Sequence, residues 1–183
     1  MSFLREVPLD ESLFAPFVAF RQAFGFVPNL FRAQTLRPDV VETETGLVGS
    51  ILIREGVLSR RQKECIMLVV SAANLNSYCV SAHSEMLRGL GFTDLDPDEL
   101  AADHRSADIP ETDKALLDFA EKLIRRPDRM SRDDIEALRG HGFSDQQILE
   151  AVQVAALAGF LNCLSAGLGA VPDETRPAPL RSE

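Results

Sequence analysis

Apolar positions recur along the chain at three- and four-residue intervals, and strict alternation of apolar and polar residues is nearly absent. That spacing lines one face of an α-helix and not of a strand. Leu116, Leu117, Ala120, Leu123 and Ile124 form one such stripe, in a helix predicted from Glu111 to about Arg126. Ser59-Arg60-Arg61-Gln62 has the form of a capping box and predicts a helix from there to about Ala73. The next is predicted from about Ser77 to Leu90, with Gly91 as its stop. Asp96-Pro97-Asp98-Glu99 places a cap, a first-turn proline and an acid in the order that opens a short helix, and Ser131-Arg132-Asp133-Asp134 and Ser144-Asp145-Gln146-Gln147 open two more. Upstream, helices are predicted from about Leu13 to Phe24, briefly after Asn29, and from Pro38 to Ile53. The expectation is an all-α chain: a single-domain helical bundle over residues 1–172 and a flexible tail over 173–183, where Pro177 and Pro179 sit among charges.

Two stretches break the amphipathic pattern. Cys65 to Val70 is an uninterrupted apolar run, so its helix should be buried almost immediately after Glu64. Ala151 to Pro172 carries no charge, and its length would permit a membrane span. Gln153, Asn162, Ser165 and three glycines weigh against that, and Ala155, Ala158 and Gly159 would let neighbouring helices approach closely. The stretch is therefore expected to be a helix buried on all sides at the centre of the bundle, in reach of a subunit contact. Six of the eleven phenylalanines fall between Phe14 and Phe31. They suit an interface, a pocket wall or ordinary core packing, and not a solvated arm.

Composition narrows the partners. A chain of 183 residues fits one domain, and a domain of this size buries roughly 70% of its unfolded surface. The formal charge of -9 argues against nucleic acid and anionic membrane, both of which require a basic surface. Cys65, Cys79 and Cys163 are odd in number and widely spaced, which is no disulfide framework. The N-terminal residues have no basic-then-apolar signal segment, so a cytoplasmic location is expected. No phosphate loop, dinucleotide glycine pattern or nucleophile elbow occurs, and no cofactor is predicted.

The candidate chemistry lies in Asn76-Ser77-Tyr78-Cys79-Val80-Ser81-Ala82-His83. With Asn76 as the cap, Cys79 falls at the third helical position, where backbone N–H groups and the helix dipole favour a thiolate. His83 lies one turn further on the same face and could exchange a proton with the sulfur, directly or through water. Glu64, near the start of the preceding helix, could orient the histidine, and burial beside it could raise its pKa for proton relay. Asn76 reads chiefly as the cap, and alternatively as a polar group facing thiol and substrate. Tyr78 reads as a pocket wall whose hydroxyl could join a relay. Cys65 and Cys163 read as buried packing residues, and His104 and His141 as exposed. Glu64, Cys79 and His83 could in principle ligate a metal, but Cys-x3-His without a second paired motif is a weak zinc signal, and no metal site is predicted.

At these residues the sequence resembles the alkylhydroperoxidase D-like branch of the carboxymuconolactone decarboxylase superfamily, whose signature is Glu-x11-Cys-x2-Cys-x3-His. Glu64, Cys79 and His83 stand in register with it, and Asn76 replaces the first cysteine. Phe26-Val27-Pro28-Asn29-Leu30-Phe31-Arg32 and the stretch from Phe160-Leu161-Asn162 through Gly167-Leu168-Gly169 extend the likeness to peroxidase-related members. The resemblance implies a thiol-dependent antioxidant enzyme, with Cys79 as the attacking thiolate, His83 as proton carrier and Glu64 orienting it. It implies a small peroxide as substrate, an external thiol as reductant and a homo-oligomer, trimeric or hexameric. The substitution at position 76 removes the local dithiol cycle. It leaves two rivals: a non-redox, decarboxylase-like acid–base enzyme acting on a small organic acid, and a degenerate binding protein.

Overall fold

The computed structural model describes residues 2–173, so the predicted tail lies, beyond residue 173, outside the described residues. These form nine α-helices and no strand. The helices are α1 (Ala15–Phe24), α2 (Asn29–Arg32), α3 (Pro38–Val48), α4 (Arg60–Ala73), α5 (Ser77–Gly89), α6 (Pro97–Asp103), α7 (Glu111–Arg125), α8 (Arg132–Gly140) and α9 (Asp145–Leu168).

Most helix starts are where local chemistry puts them. Ser59 accepts from Gln62 N while Gln62 accepts from Ser59 N at 3.1 Å, and Ser144 and Gln147 repeat the arrangement at α9. Asp96 Oδ1 accepts from Asp98 N, and Asn76 Oδ1 from Cys79 N at 2.9 Å. Gly91, at φ +79°, follows α5 in the left-handed conformation that terminates helices. One stretch differs in kind. The helix predicted from Pro38 to Ile53 changes at Gly49 into a π-helical turn, Gly49–Ile53, which turns Leu52 inward.

The centre of the bundle is α4, not α9. From Lys63 to Ser71 every residue of α4 is buried, because α5, α6, α7 and α9 pack around it. This accounts for the continuous apolar run of its sequence. By contrast α9 is buried on one face only: Val154, Ala155, Ala158 and Leu161 join the core, while Leu149, Gln153, Ala156, Phe160, Cys163 and Gly167 form an exposed stripe. The expectation of all-round burial for α9 fails because the helices that pack on it leave that stripe uncovered. Cys163 is correspondingly exposed and not a packing residue, whereas Cys65 is buried and its thiol pushed up to about 12, chiefly by burial. His104, expected at the surface, is buried and bonded through Nε2 to Asp118 Oδ1 at 2.9 Å; His141 is exposed as expected.

Candidate active site

Three elements meet at Cys79. The first turns of α4 carry Arg60 and Glu64, α5 carries Tyr78, Cys79 and His83, and α9 brings Asn162 and Ser165. Glu64 is fully buried, one turn into its helix, so it is not part of a solvated first turn. Its Oε2 lies 2.7 Å from His83 Nδ1. Arg60 Nε donates to Oε1 at 2.8 Å, with Nη2 at 2.7 Å from the same oxygen. Burial opposes ionisation of Glu64, but the His83 and Arg60 charges and hydrogen bonds outweigh it and hold the carboxyl below its ordinary range. The raised pKa expected for a dry carboxyl is thus reversed by its two basic partners, Arg60 and His83. Glu64 is a fixed anion that orients His83.

Cys79 stands apart from that pair. Its Sγ lies 3.6 Å from Ser165 Oγ, and its backbone N–H is occupied by the Asn76 cap. Burial pushes its thiol upward, and side-chain hydrogen bonds from Ser165, Asn162 and Ser71 offset only part of the shift. The helix start therefore does not by itself produce a thiolate, because the residue is only 3% exposed and desolvation dominates. Cys79 and His83 nevertheless line the same cavity, of about 130 Å³. Phe20, Phe24, Phe26 and Phe31 wall it on one side, together with Leu52 from the π-helical turn, so the N-terminal phenylalanines serve both core and pocket.

Tyr78 also lines the cavity. Its hydroxyl accepts from Leu30 N at 3.2 Å and donates to Asp173 Oδ2 at 2.9 Å. Burial raises both its pKa and that of Asp173. Asp173 Oδ1 further accepts from Asn29 N at 2.8 Å, so the residue where the tail was expected to begin is bonded to α2 and to the cavity wall.

Asn76 does more than cap. Its Nδ2 donates to Asn162 O at 3.0 Å and to Ser165 Oγ at 2.9 Å, tying the start of α5 to α9. Asn74 Nδ2 reaches Asn162 Oδ1 at 2.8 Å, and Asn162 Nδ2 donates to Ser71 Oγ at 3.0 Å. Between the two asparagines Leu75 is 90% exposed and adopts φ +55°, a left-handed conformation unusual for leucine. These bonds hold it there. Sequence reasoning missed Asn162, Ser165 and Ser71 as site residues. For Asn162 and Ser165 the available signal was two polar side chains three residues apart in the otherwise apolar second half of α9.

Elsewhere, His104, Asp118 and Glu121 bring potential metal-ligand atoms within 4.8 Å of one another, outside the cavity lining. Arg105 Nη2 already bridges Asp118 at 2.5 Å and Glu121 at 2.8 Å. A guanidinium, and not a cation site, accounts for that cluster.

Comparison with known proteins agrees with this fold. The sequence profile of the carboxymuconolactone decarboxylase family matches residues 38–122, which span α3 to most of α7. An uncharacterised peroxidase-related protein from Ralstonia eutropha JMP134, with an alkylhydroperoxidase AhpD core, is 30% identical with a TM-score of 0.87, covering 94% of this chain and 93% of its own. An uncharacterised peroxidase-related protein from Silicibacter sp. TM1040 is 26% identical with a TM-score of 0.82, over 96% and 92%. Human Sestrin-2 is 28% identical over 162 residues, 85% of this chain but 32% of the sestrin, so the chain spans about a third of that relative's length. The all-α fold, the register of Glu64, Cys79 and His83, and these relatives together establish that the chain belongs to the carboxymuconolactone decarboxylase superfamily, in its alkylhydroperoxidase D-like, peroxidase-related branch.

Proposed function

We propose that this protein is a thiol-dependent, antioxidant-related oxidoreductase that reduces small organic hydroperoxides with the single active-site cysteine Cys79. The observation that carries the reading is the placement of Cys79 and a bonded His83–Glu64 pair on the walls of one apolar cavity. The peroxidase-related relatives support the same chemistry. The cavity, about 130 Å³, is near the size of engineered protein cavities that take up benzene. It therefore favours a hydroperoxide with a ring or short alkyl group over hydrogen peroxide.

The Glu64 carboxylate accepts from Nδ1–H of His83, which leaves Nε2 to receive the Cys79 proton through substrate or water in the cavity. The thiolate attacks the terminal peroxide oxygen; an S–O bond forms, the O–O bond breaks, and the departing alkoxide takes the proton back from His83. Thiol and hydroperoxide become sulfenic acid and alcohol. One external thiol then condenses with the sulfenic acid, releasing water and leaving a mixed disulfide. A second thiol releases Cys79 as thiol and leaves as the external disulfide. An external reductant is needed because position 76 is asparagine, Cys65 is buried and Cys163 is exposed on the outer stripe of α9.

Consumption of cumene hydroperoxide should require a monothiol, and Cys79→Ser should abolish it. His83→Gln should lower the rate by roughly a hundredfold or more, the usual contribution of a positioned proton carrier. Retained turnover in Cys79→Ser would overturn the reading. One observation favours a second reading: His83 is bonded to Glu64 while the sulfur sits among neutral groups. Acid–base activity on a small organic acid that survives Cys79→Ser but not His83→Gln would select it.

A further inference from the structure

Ser165 is only 2% exposed and lies at the meeting point of α4, α5 and α9. Its hydroxyl donates to Asn162 O at 3.1 Å, its oxygen accepts from Asn76 Nδ2 at 2.9 Å, and Cys79 Sγ is 3.6 Å away. A hydroxyl has one proton and two acceptor positions, and the proton rotates freely about the C–O bond. With a thiol at Cys79, the S–H can donate to Oγ. With a thiolate, the same contact demands a donor.

We propose that Ser165 is a catalytic residue of the thiol site, its hydroxyl turning from the Asn162 carbonyl to Sγ as Cys79 ionises, with Asn76 as the positioning residue that holds Oγ in place. This deepens the thiol-dependent reading and rests on it. The turn leaves no orphaned group, because Asn162 O keeps its second donor, Asn76 Nδ2, at 3.0 Å. Asn76 Nδ2 also polarises the hydroxyl it donates to, which strengthens the bond the hydroxyl gives the thiolate. Asn162 and Ser71 complete a cradle of neutral dipoles, and their bonds to each other and to Met67 O fix it. Neutral donors suit this position, since a hydrogen bond to a charged group in a dry site is stronger than one between neutral groups. Among the described residues the titratable groups sharing the cavity are Arg60, Glu64, Tyr78, His83, Glu85 and Asp173, and none of them is bonded to Sγ. In this chain the position where relatives with the paired motif carry a first cysteine thus has a new task. Asn76 supports the remaining thiolate from behind.

The test is a titration of Cys79 by ultraviolet thiolate absorbance in the full-length protein, with Cys79→Ser as the blank because the chain carries two further cysteines, Cys65 and Cys163. Ser165→Ala should lower the thiolate fraction at neutral pH by roughly tenfold, the usual loss of one hydrogen bond to an ion. Asn76→Ser retains a capping oxygen and loses the Nδ2 donors, so it should move the titration the same way by less. The double variant should fall no further than Ser165→Ala, since Asn76 acts through Ser165. A titration unchanged in Ser165→Ala would overturn the proposal, as would full additivity of the two substitutions. The absorbance needs no turnover. If Ser165→Ala shifts the titration while the parent protein consumes no hydroperoxide, the cradle stands and the peroxidase reading fails. If hydroperoxide is consumed and the titration is unmoved, the reverse holds.

Discussion

At the scale of single residues, the sites that matter are those where burial and polarity conflict. Glu64 resolves the conflict through Arg60 and His83, whereas at Cys79 burial outweighs the neutral groups around the sulfur. Glu44, in α3, does not resolve it. It is 4% exposed, its Oε1 accepts one long bond from Gln34 at 3.4 Å, and its Oε2 has no partner. Burial pushes its carboxyl up to about 7 from an ordinary 4.5. The folded state then binds a proton that the unfolded chain has released, so stability should fall as pH rises from about 4.5 through about 7 and level off above that. The loss is of the order of 3 kcal/mol, because a tenfold change in proton affinity is worth about 1.4 kcal/mol. Glu44→Gln preserves shape and the Gln34 bond and carries no charge. Urea unfolding should show the variant more stable than the parent by roughly 1–3 kcal/mol at about pH 8, and nearly equal at about pH 4.5. Equal stability at both would show that water or movement already solvates Glu44.

Whole elements show which parts of the structure were legible in the sequence. Helix starts were, because a cap is written in four consecutive residues: Ser59 and Gln62, or Ser144 and Gln147, meet through a single turn. The register of Cys79 with His83 was legible for the same reason. The contribution of Ser165 and Asn162 was not, because it depends on α9 returning beside α5 some eighty-six residues later. Nor was the π-helical turn at Gly49–Ile53, whose shape is fixed from outside. Lys63, 1% exposed, donates to Ile51 O and Arg54 O at 3.0 Å each and meets Glu150 of α9 at 2.5 Å. Glu150 Oε2 accepts from Val57 N and Leu58 N, and a Cβ on Gly56 would collide with its carboxylate. One buried ammonium thus holds a cavity wall against the core. Lys63→Met fills the space but leaves Glu150 half-paired and two carbonyls without donors. Removing one partner of a buried pair costs about 3–5 kcal/mol. Denaturant unfolding should show a loss in that range, and cavity reactions should weaken with Leu52 displaced. A loss below about 1 kcal/mol would mean that the turn is set by its own residues.

For the whole molecule, the open relation is between α9 and what lies outside the chain. By length and composition α9 could cross a membrane, yet its inner face is part of the core and its start is a capping box of the kind that opens α4. What remains outside is the stripe Leu149, Gln153, Ala156, Phe160, Cys163, Gly167, uncharged from end to end, with Leu149 58% and Phe160 43% exposed. An uncharged, mostly apolar strip on a chain of net charge -9 is a surface that water covers poorly and that a second copy could cover without bringing charges together. Light scattering should accordingly give a mass well above the 20.1 kDa of the chain. Phe160→Asp places a charge at the middle of the stripe and should return the protein to that mass. Leu161, beside it, faces the core, so the fold should survive the change. Cys163 supplies an independent readout from within the same stripe, since maleimide labelling at that thiol should be slow in the assembled protein and several-fold faster in Phe160→Asp. A parent protein that scatters as a single chain, or labels at Cys163 as fast as the variant, would show that α9 meets only solvent on this face.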